Sequence, residues 1–349
     1  MSIGATSTFN RTDRVAEGWY WALRSADLPR GKVKPVELLG RHLAVYRGQD
    51  GRVAALDAHC PHMGAHLAEG KVDGNGLRCF FHNWKFESDG CASDVPCATG
   101  PVRASVRSWP VEERYGLIWL WTGETARHPV PYVPELEHDE GDALLGARFA
   151  KGCHPNVVMI NAIDAHHFNT VHHLPVDLDF ECIRTNENNM RFENRTRMPE
   201  SNAFTRFAGR FYAGPLTYKM SYWYGSTGSV TVGPDFLHFH IIFALRLAKD
   251  GTTEGQTILV TKRRRGPIGW LFNRVLLFLS WVVGTYFAHG DTRVFQTIKF
   301  DFKTPLKADR SIIQFIKHVE EQPSIAVGAW TENELVQLPS IGLRAVEGQ

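Results

Sequence analysis

Alternating apolar and polar positions predict two β-rich regions in this chain. Between residues 16 and 126, short β-like runs such as His42–Tyr46, Arg52–Leu56 and Gly116–Trp121 are separated by Gly and Asp turns. From Thr205 to Thr261, apolar and polar residues alternate over longer stretches. The pattern predicts an α+β protein, in which a small antiparallel β domain is followed by an antiparallel sheet covered by helices.

A proline-rich passage separates the two regions. Residues 127–134 are rich in proline and precede the acidic segment 135–142, a composition typical of a linker. The sequence therefore predicts a flexible tail at residues 1–15, a small β domain at 16–126 and a second domain at 127–349. The tail is rich in Ser and Thr and lacks an apolar core, so the sequence predicts neither a signal peptide nor a membrane anchor in this stretch.

One strongly apolar segment, residues 269–288, follows the second β-rich region. Asn273 and Arg274 interrupt it and leave 14 uncharged residues, 275–288, fewer than the roughly 20 needed to cross a bilayer. The pattern therefore favours a buried helix over a membrane span. The basic run before it, residues 262–265, is typical of a solvated surface, but beside an apolar helix it also suits contact with a membrane surface or an acidic redox partner.

Composition and charge narrow the functional classes. The chain has 349 residues, is 43% hydrophobic and 22% charged, and carries a net charge of +2. This gives no electrostatic case for a nucleic-acid partner. Apart from the two cysteines of the motif described next, the other cysteines lack a disulfide-framework spacing, which predicts a reducing, cytoplasmic location. These are Cys91, Cys97, Cys153 and Cys182.

The most informative motif pairs one cysteine with one histidine, twice. Cys60-x-His62 is followed by a 16-residue spacer and then by Cys79-x2-His82. Thiolates are soft donors and imidazole is a borderline donor, so the set can bind one tetrahedral ion or a two-iron cluster. The donor types alone leave both alternatives open.

The order of these residues resembles the Rieske [2Fe–2S] motif. Zinc sites usually pair Cys with Cys and His with His along the chain, whereas each half here carries one of each. The resemblance implies that Cys60 and Cys79 bind one iron and that His62 and His82 bind the other. Two imidazole ligands raise the reduction potential above that of an all-Cys cluster. Zinc remains the alternative.

A second motif lies beyond the linker. Asp164 and His167 are three positions apart, so on a helix they would share a face. His167 and His172 are five apart, a separation that an undistorted helix would splay by about 140°. The helix is therefore expected to widen or end near Asn169.

This motif resembles the N-x2-D-x2-H-x4-H pattern of Rieske non-haem iron oxygenases. The resemblance implies that His167 and His172 are ligands of a mononuclear Fe(II) and that Asn161 and Asp164 are catalytic residues beside it. In that family the third ligand is a later carboxylate, which completes a site with open positions for O2. The neighbouring histidines at 166 and 173 do not satisfy both spacings from the aspartate.

The third ligand is predicted to be Asp291. The segment Asp291-Thr-Arg-Val-Phe resembles the family's D-x2-(I/V)-aromatic signature, about 120 residues after His172. Asp301 and Asp309 are the competing carboxylates, and both lie among polar residues that suit solvated turns.

Residues 17–315 as a whole resemble the α subunit of a Rieske oxygenase, within the group that includes the aminopyrrolnitrin and steroid-ring oxygenases. The resemblance implies mono-oxygenation of a hydrophobic aromatic or polycyclic molecule, such as a sterol or terpenoid. N-oxygenation of an arylamine is one alternative. A Rieske electron carrier or redox sensor is another, but it would need only the residues up to about 125. Ile160 stands where many ring dioxygenases have Glu, so dioxygenase chemistry is not favoured.

The expected partners follow from what the sequence lacks and from the resemblance. No G-x-G-x-x-G follows a predicted strand and no flavin signature occurs. Electrons are therefore expected from a separate NAD(P)H-dependent reductase, through a ferredoxin. The resemblance also implies a homotrimer, in which Asp164 links His167 to a cluster histidine of the neighbouring subunit.

Overall fold

Short antiparallel strands form the N-terminal region. The computed structural model describes residues 8–96, 98–100, 102–172, 179–185, 189–197, 212, 214–223 and 226–330. The strands of this region are β1 (Arg14–Ala16), β2 (Trp19–Arg24), β3 (Val33–Leu38), β4 (Arg41–Arg47), β5 (Val53–Asp57), β6 (Lys71–Asp73), β7 (Gly76–Arg78), β8 (Lys85–Phe86), β9 (Ala92–Asp94), β10 (Ser108–Trp109), β11 (Val111–Arg114) and β12 (Leu117–Trp121). Among the described residues they pair in the orders β10-β5-β4-β3, β11-β12-β2 and β6-β7-β8-β9.

A larger antiparallel sheet begins at residue 141. Its strands are β13 (Gly141–Lys151), β14 (Glu181–Arg184), β15 (Met190–Arg197), β16 (Pro215–Trp223), β17 (Ser226–Pro234), β18 (Phe239–Leu247) and β19 (Thr253–Lys262), and a last short strand, β20 (Ser324–Ala326), lies outside it. Within the described part of the chain, the sheet order is β13-β19-β18-β17-β16-β15-β14. Met220, Val230, Ile241 and Leu259 stand opposite one another on four adjacent strands, so they share one apolar face.

Helices cover this apolar face. Tyr222 donates its hydroxyl to the carbonyl oxygen of Met159 at 2.6 Å, and its ring lies 4.1 Å from that of Phe315. Leu277 packs against Ile241. The helices are α1 (Pro155–Asn161), α2 (Ala165–Thr170), α3 (Gly266–Thr297) and α4 (Arg310–Glu320).

The opposite face of the large sheet packs on the N-terminal region. Ile242 and Ile258 point to this side and form one core with Trp19, Trp21 and Trp119. Each of these side chains is at most 2% exposed. The large sheet therefore separates the N-terminal strands from the covering helices, and the predicted fold class is confirmed.

Residues 8–15 do not form the predicted flexible tail. Phe9 is only 1% exposed and its ring lies 5.5 Å from that of Phe300. Strand β1 pairs with β20, and Trp330 is buried in the N-terminal core. The expectation of a tail is wrong here because pairing with a distant segment leaves no local pattern in a short polar stretch. The part of the tail at residues 1–7 lies outside the described residues.

The apolar segment at 269–288 forms helix α3, but only one side of its first half is buried. Leu276 and Leu277 are at most 3% exposed, whereas Trp270 and Phe278 are 57% and 58% exposed. The prediction of a buried helix is therefore wrong for these turns, because composition does not show which side a sheet will cover. Among the described residues, no helix combines the length and apolar character needed to cross a membrane.

Candidate functional site

A tight loop presents Cys60 and His62. The backbone N–H of Cys60 donates to the carbonyl oxygen of Ala65 at 2.9 Å, and the N–H of Gly64 donates back to the carbonyl of Cys60 at 2.9 Å. Gly64 has a φ of 76°, a left-handed conformation that glycine adopts without strain. This turn brings the sulfur and the imidazole to the same tip.

A second loop repeats these bonds around Cys79 and His82. The N–H of Cys79 donates to the carbonyl of Trp84 at 2.9 Å, and that of Asn83 donates to the carbonyl of Cys79 at 3.1 Å. Asn83, four places after the cysteine as in the first loop, also has a positive φ, of 59°. The two halves of the motif are therefore matched in backbone structure as well as in donor type.

Together the loops offer two buried sulfurs and two outer imidazoles. Cys60 and Cys79 are 4% and 2% exposed, while the rings of His62 and His82 lie 4.6 Å apart at the surface side. Burial raises the pKa of the Cys60 thiol, and the nearby Cys79 raises it further by a smaller electrostatic effect. The sulfur of Cys60 therefore needs positive charge beside it to be a thiolate, and the donor set fits a [2Fe–2S] centre.

Replacing Cys79 by serine is expected to remove this centre, because one iron would lose a thiolate ligand. The visible absorption and the Rieske electron paramagnetic resonance signal of the reduced protein should both disappear. Cys91→Ser is the matched control, since Cys91 is exposed on the same domain and should leave both signals intact. A normal signal in the Cys79→Ser protein would contradict the assignment.

The second motif is organised around the start and end of helix α2. Asp164 is the N-cap, and its Oδ1 accepts the backbone N–H groups of His166 and His167 at 3.0 and 3.4 Å. The helix ends at Thr170, as the spacing to His172 predicts. Asp164 therefore does not lie on a helix face; it caps the helix, because a carboxylate there satisfies N–H groups that have no partner within the helix.

His167, His172 and Asp291 converge from α2, from the turn after it and from α3. Nε2 of His172 lies 3.1 Å from Oδ1 of Asp291, and Nε2 of His167 lies 3.9 Å from the same oxygen. The three ligand atoms all lie within 4.8 Å of one another. Oδ1 of Asp291 is buried and has no hydrogen-bond partner among the described residues, an unfavourable state that a bound cation would relieve. Two imidazoles and one carboxylate suit Fe(II) with open positions.

The hydrogen bonds around His167 select its ligand atom. Nδ1 of His167 lies 2.6 Å from the backbone carbonyl oxygen of Asp164, so Nδ1 carries the proton and Nε2 keeps its lone pair. The side-chain amide nitrogen of Asn161 lies 3.2 Å from that Nε2. Asn161 thus touches the lone pair that a metal would use, and metal binding would release its amide donor within the site.

Gly290, which the sequence analysis missed, allows α3 to approach His172. A Cβ atom at position 290 would lie 3.1 Å from Nδ1 and 3.2 Å from Cε1 of the His172 ring, closer than ordinary packing distance. A larger residue would therefore push Asp291 and His172 apart. In the sequence, the only feature that marks Gly290 as part of the site is its position directly before Asp291.

Lys151 is a second residue that the sequence did not mark. Its ammonium donates to Oγ1 of Thr292 at 2.7 Å, next to Asp291 in the chain. Burial lowers the pKa of Lys151. The contact forms because the end of β13 packs against α3, a segment far away in the sequence. No local pattern could therefore have predicted it.

The competing candidates lie elsewhere or serve other purposes. His166 and Asp301 are exposed and Asp309 is partly buried, and all three lie outside the three-residue group. His154 caps α1, and burial lowers its pKa to about 4. His173 lies outside the described residues.

Within one chain, the two candidate centres lie on opposite sides of the large sheet. Cys60 and Cys79 belong to a core made only of N-terminal residues. His167 follows α1, whose residues Val157 and Ile160 pack on the helix-covered face of the sheet. The tip around the first centre also exposes apolar side chains, namely Met63, Phe80 and Phe81.

Comparison with known proteins matches the N-terminal domain to a family. Residues 18–110 match the Rieske [2Fe–2S] domain. Aminopyrrolnitrin oxygenase PrnD of Pseudomonas fluorescens is 30% identical over 239 residues, 65% of this chain and 62% of PrnD. A probable 3-ketosteroid-9-alpha-monooxygenase oxygenase component of Rhodococcus rhodochrous is 36% identical over 169 residues, 46% of this chain and 42% of that protein. The chain thus spans less than two thirds of the length of either relative.

The fold has counterparts among solved structures. A QL mutant of NdmA from Pseudomonas putida CBB5, solved with caffeine, superimposes with a TM-score of 0.62 at 18% identity, covering 86% of this chain and 88% of NdmA. At this identity the likeness concerns the fold. The chain therefore contains a Rieske [2Fe–2S] domain; it is similar in sequence to curated oxygenases over part of its length, and in fold to NdmA over most of it.

Proposed function

We propose that this chain is the oxygenase component of a Rieske monooxygenase, which uses O2 and electrons from a separate reductase to mono-oxygenate a hydrophobic aromatic or polycyclic molecule. The observation that carries the proposal is the convergence of His167, His172 and Asp291 in a chain that also has a Rieske domain. An electron carrier would not need this second site. We assign the Rieske function to residues 16–126 and the oxygenase function to 127–349.

The proposed iron ligands are His167, His172 and Asp291, and the proposed cluster ligands are the cysteine and histidine pairs of the two loops. When bound, the ferrous ion supplies O2 activation and the cluster supplies single electrons. Asp164 fixes His167 in two ways: its carboxylate caps the helix, and its backbone carbonyl holds Nδ1. Asn161 keeps an amide donor beside the ligand atom of His167.

The electron path is proposed to run between subunits of a homotrimer. In one chain the cluster loops and the proposed iron ligands belong to separate cores, which favours a path between neighbouring subunits. The exposed apolar tip at Met63, Phe80 and Phe81 suits docking against a neighbouring subunit. Asp164, half-buried at the start of α2, is proposed to connect His167 to a cluster histidine of that subunit.

The aromatic surroundings of the iron site support an apolar substrate. Phe168 lies between the two histidine ligands and Tyr218, with ring distances of 4.3 Å to His167, 5.8 Å to His172 and 5.6 Å to Tyr218. Phe180 lies 5.9 Å from Tyr218. The names of the relatives indicate an arylamine substrate for one and a steroid for the other, so a flat or polycyclic hydrophobic molecule is proposed here.

The proposed partners are an NAD(P)H-dependent reductase and a ferredoxin, and the proposed location is the cytoplasm. The described cysteines are all free thiols, which suits a reducing compartment. The steroid oxygenase relative is itself named as an oxygenase component.

The test is turnover of the purified holoprotein with a surrogate ferredoxin and reductase. Sterols, terpenoids and arylamines are supplied in parallel, and products are identified by mass spectrometry. A product heavier by one oxygen atom, labelled when 18O2 is used, supports mono-oxygenation. N-oxygenation of the arylamine only would favour the alternative function, and a protein that exchanges electrons but never consumes O2 with any substrate would favour an electron carrier.

A further inference from the structure

The outer side of the first half of α3 is an unusually large apolar surface. Nine large apolar side chains over four turns are each at least 40% exposed. Exposed apolar surface on this scale marks a contact with a partner or a membrane. They are Ile268, Trp270, Leu271, Phe272, Val275, Phe278, Leu279, Trp281 and Val282, and we call them the α3 face.

The orientation of α3 is fixed from the inside by polar contacts. Asn273 is 1% exposed; its amide donates to Asp142 at 2.7 Å, and its carbonyl oxygen accepts from Arg264 at 3.0 Å. Ser280, 2% exposed, also faces inward; its hydroxyl donates within the helix to the carbonyl oxygen of Leu276 at 2.9 Å. The helix therefore turns a partly polar stripe inward and its most apolar side outward, the reverse of an ordinary surface helix.

Basic side chains accompany the α3 face. The guanidinium of Arg274 lies 5.5 Å from the ring centre of Trp270, and that of Arg264 lies 4.7 Å from the ring centre of Phe272. Arg265, at the N-cap, is exposed. Within the described residues these three arginines form no ion pair with a carboxylate. Arginine and tryptophan side chains combine apolar stems or rings with polar tips, which suits the boundary between lipid headgroups and acyl chains.

We infer that the α3 face lies on a membrane surface that contains anionic lipids. The basic residues complement the negative surface, while the apolar side chains enter the outer part of the acyl region. A second copy of the chain fits less well. The homotrimer proposed above already joins its subunits through a different apolar surface, the tip at Met63, Phe80 and Phe81.

The membrane contact would place the proposed iron site close to a source of apolar substrate. Asp291 lies on the same helix, nine residues after Val282, which corresponds to about 14 Å along the axis. Delivery of substrate from the lipid phase rests on the proposed function, whereas the membrane contact itself does not.

The experiment is flotation of the holoprotein with vesicles of phosphatidylcholine alone or mixed with phosphatidylglycerol. We expect the protein to float with the mixed vesicles. Trp270→Glu combined with Phe278→Glu should abolish flotation, whereas Leu306→Glu, a matched change at an apolar side chain that is 63% exposed elsewhere, should not. Arg265→Gln with Arg274→Gln should weaken binding to the mixed vesicles by roughly 30-fold. Cluster absorption reports that each variant has folded.

Two outcomes would overturn the inference. One is a parent protein that floats with neither kind of vesicle. The other is an unchanged protein that does not bind vesicles and forms an oligomer by light scattering, where Trp270→Glu with Phe278→Glu dissociates that oligomer. This result would assign the α3 face to a second copy of the chain. The α3-face variants should still turn over a substrate that is dispersed in detergent. If the unchanged protein shows no turnover, that result counts against the proposed function alone and not against the membrane contact.

Discussion

Replacing His172 by alanine is expected to abolish product formation while leaving the cluster spectrum unchanged. His172 approaches Asp291 to 3.1 Å and would provide one of three protein ligands to the iron. The cluster loops belong to a separate core on the other side of the large sheet, so they should be unaffected. Loss of several kcal/mol of metal assistance corresponds to a rate decrease of roughly a thousandfold or more. His167→Ala should behave in the same way.

The control is His166→Ala, one residue from the proposed ligand. His166 is exposed and lies outside the three-residue group, so this change should keep both iron and turnover. The measurements are product by mass spectrometry, iron by elemental analysis and the visible spectrum of the cluster. Substantial turnover in His172→Ala, or iron loss confined to His166→Ala, would mean that the ligands have been assigned in the wrong register.

Changing Asp291 or Asp164 is expected to give opposite results for iron content. Asp291→Ala removes the carboxylate whose buried oxygen faces both histidines, so iron occupancy should fall together with turnover. Asp164→Asn should retain iron, because asparagine is also a good N-cap and the backbone carbonyl that holds His167 is unchanged. Turnover should nevertheless fall by about 100-fold or more, since the charged link proposed between the two centres is lost.

Rapid mixing distinguishes these two effects. With the cluster chemically reduced and substrate bound, Asp164→Asn should oxidise its cluster slowly on exposure to O2, although iron is present. Asp291→Asn serves as a shape-matched companion to Asp291→Ala. If Asp164→Asn loses its iron and Asp291→Ala keeps it, Asp164 is a ligand and both assignments fail together.

The cluster loops could be predicted in detail because their determinants are local. Cys60 and His62, like Cys79 and His82, are brought together by turns of a few residues, and the turn signals lie in the same short segments. The helix end near Asn169 could also be predicted, since spacing alone shows that His167 and His172 cannot share one face of a regular helix. The role of these residues as ligands stays a prediction.

Features that depend on distant contacts could not be derived from local pattern. Asp291 was preferred to Asp301 by resemblance, and only the packing of α3 against the turn after α2 brings its carboxylate to the histidines. Asp164 was expected on a helix face because spacing does not distinguish the first helical turn from the cap. The exposed side of α3 was missed for a similar reason, because a run of apolar residues does not show which side of the helix other elements will cover.

The pairing of β1 with β20 has a consequence for how such a protein can be rearranged. The segment 324–330 lies within the region of the proposed oxygenase function, but it packs into the N-terminal core, where Trp330 lies 4.8 Å from Trp109. A chimera joined only near residue 126 would therefore give the new Rieske domain a strand and a tryptophan selected for a different one. Exchange of Rieske domains between relatives should succeed only with two crossover points, so that the late segment travels with its early partner.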